Sequence, residues 1–112
     1  MTEIRVEKIG GKIMSVSCSG HTGYAVQGED IVCAGISTLV QTALLGLMSV
    51  AGINVKYARD EQKGTLRFEL PRGLDETMRH DADVILGTML CGLSDFYTEY
   101  SDYMKLEVIE CL

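Results

Sequence analysis

Charged and apolar residues alternate through Glu3-Ile4-Arg5-Val6-Glu7, the pattern breaks at Gly10-Gly11, and alternation resumes through Met14-Ser15-Val16-Ser17-Cys18. A period of two on either side of a glycine pair predicts a β-hairpin with Ile4, Val6, Met14, Val16 and Cys18 on one face. Residues 31–55 then carry no charge, and Ile36, Leu39, Val40, Ala43, Leu44, Leu47 and Met48 cover most of a helical circumference. A helix of that kind is buried nearly all round or spans a membrane. Its length of about twenty residues permits a span. However, Ser37, Thr38, Gln41, Thr42 and Ser49 interrupt it and amphipathic strands flank it, so the reading taken is a central helix packed on a sheet and stopped by Gly52.

Alternation returns in Ile53-Asn54-Val55-Lys56-Tyr57 and Leu66-Arg67-Phe68-Glu69-Leu70, around the polar connection Arg59-Asp60-Glu61-Gln62-Lys63-Gly64. This predicts a second hairpin, ended by Pro71. Between residues 74 and 100, Met78, Ala82, Ile85, Met89, Leu93, Phe96 and Tyr100 recur every three or four positions, the mark of a long amphipathic helix. On it, Arg79, His80, Asp81 and Asp83 read as solvated surface and Cys91 as packed. Met104-Lys105-Leu106-Glu107-Val108 gives one more strand, with Cys111 in a terminal tail. The predicted order is ββαββαβ: an α+β fold whose mainly antiparallel sheet carries two helices on one face.

Composition narrows the class. The chain has 112 residues, 46% of them hydrophobic, enough for a single domain over residues 1–112 with a real core. A net charge of -6 without any basic run excludes a phosphate backbone as the expected partner, and suits a basic peptide better. Cysteines 18, 33, 91 and 111 form no CxxC pair and no framework spacing, and the N-terminal residues do not read as a signal peptide. The expectation is a cytoplasmic protein with reduced thiols and no membrane association.

The candidate chemistry lies in residues 19–37, Ser-Gly-His-Thr-Gly-Tyr-Ala-Val-Gln-Gly-Glu-Asp-Ile-Val-Cys-Ala-Gly-Ile-Ser. Asp30 suits an N-cap, which would put Cys33 near the third position of the helix, where the dipole and unpaired N–H groups favour a thiolate. His21, across a loop holding Gly23 and Gly28, could fold back as base and then acid. Against this, cysteine is often simply buried, and the charge of Asp30 disfavours a nearby thiolate unless it is spent on capping or on orienting His21. Cys18, His21 and Cys33 would supply three zinc ligands, but no fourth stands at a sensible spacing and the alternation turns Cys18 inward, so no metal and no cofactor are expected. A non-catalytic dimeric module that docks an extended peptide is the alternative to an enzyme.

Gly20-His21, the loop ending Gly28-Glu29-Asp30, and the run from Ile31-Val32-Cys33 to Ser37 resemble the signature of the ribosomal-processing cysteine proteases (Prp), and the likeness covers the whole chain in length and element order. The resemblance implies a cytosolic endopeptidase that removes a short N-terminal extension from the twenty-seventh large-subunit ribosomal protein, cutting after an aromatic pair. It implies His21 and Cys33 as the catalytic dyad, with Gly20, Asp30 and Ser37 in supporting or substrate-binding roles. It also implies a homodimer. The sequence adds a physical motive for one: a twenty-residue uncharged helix has more apolar surface than one small sheet and one helix can cover, and Tyr97, Tyr100 and Tyr103 add aromatic surface, so the interface is expected on the first helix or at the aromatic end of the second.

Overall fold

The computed structural model describes residues 1–20 and 29–111, with Glu29 and Asp30 by backbone alone. Strands β1 (Thr2–Ile9) and β2 (Lys12–Ser19) lead to helix α1 (Glu29–Leu45), then β3 (Lys56–Asp60), β4 (Thr65–Glu69), helix α2 (Glu76–Tyr100) and β5 (Met104–Cys111). This is the expected ββαββαβ order of an α+β fold. The sheet runs β3-β4-β2-β1-β5, antiparallel except where β5 returns alongside β1 in parallel after the α2 crossover.

The first hairpin turns on Gly10 and Gly11, at φ 61° and 78°, both in the left-handed region that the tightest hairpin turn demands. Ile4, Val6, Val16 and Cys18 face the helices as the alternation predicts. Met14 does not take its expected place. Glu7 pairs with Ser15 but Lys8 with Ile13, so Met14 is the extra residue of a β-bulge and Ile13 turns inward instead.

Helix α1 buries Val32, Ile36, Val40, Ala43 and Leu44, widens into a π-helical turn at Gly46–Val50, and stops where Gly52 adopts φ 67°. Helix α2 starts at Asp75, whose carboxylate accepts the Met78 N–H at 2.8 Å, and buries Ala82, Leu86, Met89 and Leu93. The two helices approach closely because glycines stand at the crossing: a Cβ on Gly35 would strike the Phe96 ring, and one on Gly92 would meet Leu39 Cδ2 at 3.2 Å. Both cover the sheet face made by Ile4, Val6, Val16 and Phe68. The opposite face carries Glu3, Arg5, Ser17, Arg67 and Lys105.

Four further expectations are corrected. Strand β3 begins at Lys56 rather than Ile53, because Ile53 N–H still closes the end of the helix on the Leu47 carbonyl at 2.9 Å; Ile53 and Val55 are buried all the same. Cys111 is not in a tail but opposite Ile9 in β5, and its thiol donates to Glu7 Oε2 at 3.5 Å. Cys91 is exposed, since Met89 and Leu93 take the inward positions. Arg79 and Asp83 are no solvated surface pair: two guanidinium N–H groups donate to Asp83 Oδ1 at 2.6 and 2.9 Å and a third bond reaches the Ile13 carbonyl at 3.2 Å, which ties α2 to the bulged strand. His80 beside them is exposed, as expected.

Candidate active site

Glycine is required at position 20. At φ 113° the residue lies in the left-handed region, and a Cβ there would collide with the Met1 carbonyl oxygen as the chain leaves β2. Gly20 therefore sets the direction in which the backbone departs toward His21. His21 itself and the loop 22–28 lie outside the described residues, so the dyad geometry rests on the sequence reading.

Helix α1 begins at Glu29, two residues earlier than an Asp30 cap would have it. Two consecutive acidic residues suit a first turn, where negative charge meets the positive end of the dipole. Asp30 is thus the second residue of the helix and not its cap, and Cys33 the fifth. Among the described residues, the N–H groups left over by the helix belong to residues 29–31. Because helical side chains lean toward the N-terminus, the Cys33 thiol still lies over that first turn.

Cys33 stands half-buried on the wall of a groove of about 510 Å³ between the flank of α1 and the β3–β4 hairpin. Ser37 and Gln41 follow it on the same wall at steps of four residues, Arg59, Asp60 and Thr65 face it, and Cys18, Val40 and Leu66 lie along the floor. The fold therefore brings Cys33 and Ser37 together, and places Gly20 at the end of the strand that carries Cys18. The sequence reading missed Gln41, Arg59 and Thr65. For Gln41 a signal existed, its eight-residue spacing from Cys33 on a helix otherwise almost wholly apolar. For the hairpin residues none did, since their approach to α1 depends on the order of the strands.

The two cysteines of the groove differ in kind. Burial pushes the Cys18 thiol up to about 11, with the neighbouring Cys33 adding to it, so Cys18 stays protonated and serves as apolar floor. Cys33 is accessible from the groove. On the far wall, Asp60 Oδ1 accepts the Lys63 N–H at 3.1 Å and so fixes the hairpin turn, while Arg59 sits 3.5 Å from Glu61 with both side chains more than half exposed.

The profile of the cysteine protease Prp family matches residues 1–105. The chain is 30% identical over 94 residues to the ribosomal processing cysteine protease Prp of Bacillus subtilis strain 168, covering 84% of each. It is 29% identical over 96 residues to the protein of the same name from Staphylococcus aureus strain Mu50, covering 86% of this chain and 87% of that one. Among solved structures, S. aureus Prp in complex with a substrate peptide superposes with a TM-score of 0.85 at 25% identity, over 96% of this chain and 99% of the other. A Streptococcus mutans protein, SMU.848, shares the fold at a TM-score of 0.85 and 22% identity, over 99% and 96%. A thiol on a groove wall in this fold, with that match, makes the chain a cysteine peptidase rather than a docking module. It belongs to the cysteine protease Prp family.

Proposed function

We propose that this peptidase removes the N-terminal extension of the twenty-seventh large-subunit ribosomal protein, cleaving after an aromatic pair through a dyad of Cys33 and His21. The observation that carries the reading is the position of Cys33, near the start of α1 and at the side of a groove with an apolar floor. The Cys33 thiolate attacks the scissile carbonyl carbon, and the C=O electron pair moves onto oxygen near the spare N–H groups of residues 29–31. His21, holding the thiol proton, delivers it to the leaving amine as the C–N bond breaks. Water then loses a proton to His21, attacks the thioester, and returns Cys33 as the leaving group. The relatives named as ribosomal processing enzymes, and the S. aureus structure with substrate peptide, support a peptide of this kind as substrate.

The test is incubation of the chain with a peptide spanning that cleavage junction, read by mass spectrometry beside Cys33→Ala. Cleavage by the parent and none by the variant is expected; full activity in the variant would sink the assignment.

We also propose that the enzyme works as a homodimer in the cytosol, where a ribosomal protein would be met. Ile31, Leu45 and Val84 on the two helices are each more than half exposed, at 71, 57 and 55%, and α1 offers no charge beyond its first turn. Surface of that character is usually covered, most often by a two-fold copy. Sedimentation equilibrium at micromolar concentration should give twice the chain mass; a monomer mass at all concentrations contradicts the dimer.

A further inference from the structure

The groove beside Cys33 holds polar groups that the rest of the molecule leaves unused. Elsewhere on the helices, Thr38, Thr88 and Thr98 turn their hydroxyls back onto the carbonyl oxygens of Ala34, Val84 and Ser94, at 2.8, 2.7 and 3.1 Å. That is the usual way for a helix to satisfy such a residue. Gln41 is half-buried on the groove wall, yet its carboxamide bonds to no described residue. A carboxamide carries donors and an acceptor, a match for the N–H and C=O of an extended chain.

The spacing says how far along a substrate Gln41 would act. At 1.5 Å of rise per residue, Gln41 lies about 12 Å along α1 from Cys33. An extended peptide advances about 3.3 Å per residue, so Gln41 is level with the third or fourth residue from the scissile bond. Leu66 beneath it, 9% exposed, offers a small apolar surface to a peptide side chain, with Val40 wholly buried behind it. The hydroxyl of Thr65, on the facing wall, likewise bonds to no described residue.

We propose that Gln41 is a specificity-determining residue: its carboxamide holds the main chain of the substrate about three residues from the scissile bond while an apolar side chain of the peptide rests on Leu66. The inference rests on the protease reading above and adds the extent of the substrate track along α1. Gln41→Met keeps the side-chain length and removes the hydrogen bonds. On a peptide spanning the junction it should raise KM about tenfold and leave kcat within about twofold. On two further peptides, each cut short on one side of the scissile bond, parent and variant should become equal for the one that no longer reaches Gln41, which also fixes the direction. An equal loss on all three peptides, a loss in kcat alone, or no change on any overturns the proposal. Failure of the unaltered chain to cleave any of them is read without the variant; it overturns the protease reading and takes the Gln41 assignment with it.

Discussion

The two helices cover the same sheet face by opposite means. Helix α2 has a capping Asp75, threonines bonded to their own backbone, and an Arg79–Asp83 pair locked to the Ile13 carbonyl. Its polar groups are spent on the fold. Beyond its two acidic first residues α1 has no charge, passes into a π-helical turn, and leaves the carboxamide of Gln41 without a partner among the described residues in the groove beside Cys33. Thr38 still bonds the Ala34 carbonyl, but Gln41 is kept for something else. A polar residue on a buried helix is tolerated only when it is satisfied somewhere, so the contrast marks α1 as the working helix and α2 as its support.

The sharpest way to break this comparison is to exchange a histidine of each region. His21→Ala should cost at least about a thousandfold in cleavage rate if it is base and acid to Cys33. His80→Ala, on the exposed flank of α2 at 77% side-chain exposure, should leave the rate unchanged. Equal effects, or a pH–rate profile untouched by His21→Ala, would remove His21 from the mechanism.

The next largest effect is expected on stability and from α2. Arg79→Met removes the donors that join Asp83 and the Ile13 carbonyl, and should lower unfolding free energy by about 2 kcal/mol in a urea titration. KM for the junction peptide should not move. A variant as stable as the parent would return the pair to ordinary helix surface.

Much of this division was legible in the sequence and some of it was not. The strand alternation and the uncharged run of residues 31–55 gave the element order and the central helix directly, because burial imposes the period. Cys33 stood out by local chemistry and Gly20 only through the family resemblance, and the backbone at φ 113° gives Gly20 its reason. What escaped depends on distant neighbours. Arg79 could not be told from a surface arginine without knowing that a bulge at Met14 brings the Ile13 carbonyl within reach, and Arg59 and Thr65 join the site only because β4 pairs with β2. The Asp30 cap failed differently: Glu29 and Asp30 are both good first-turn residues, and local chemistry does not choose between them.

The smallest expected effect is on pH. At Asp83, partial burial raises the carboxyl, but hydrogen bonds from Arg79 and Lys12 outweigh it and hold the group below its ordinary value. At Glu7, the Cys111 thiol and the nearby Arg67 do the same against a smaller burial effect. A carboxylate lowered in the folded state binds fewer protons there than in the unfolded chain, so its stabilisation is complete above the unfolded value, near pH 4, and is lost as pH falls through the folded one. Asp83 is a third exposed, and solvent screening keeps its share small. Thermal unfolding should thus be flat between about pH 7 and 5 and fall below about pH 4, with a shallower fall in Asp83→Asn. Because Asp83 and Glu7 sit on α2 and β1 and not on the groove wall, a short exposure to acid below about pH 4 should weaken the fold before it alters the Gln41-dependent KM. An acid loss of peptide affinity with unfolding unchanged would contradict that order and the assignment of roles to the two helices.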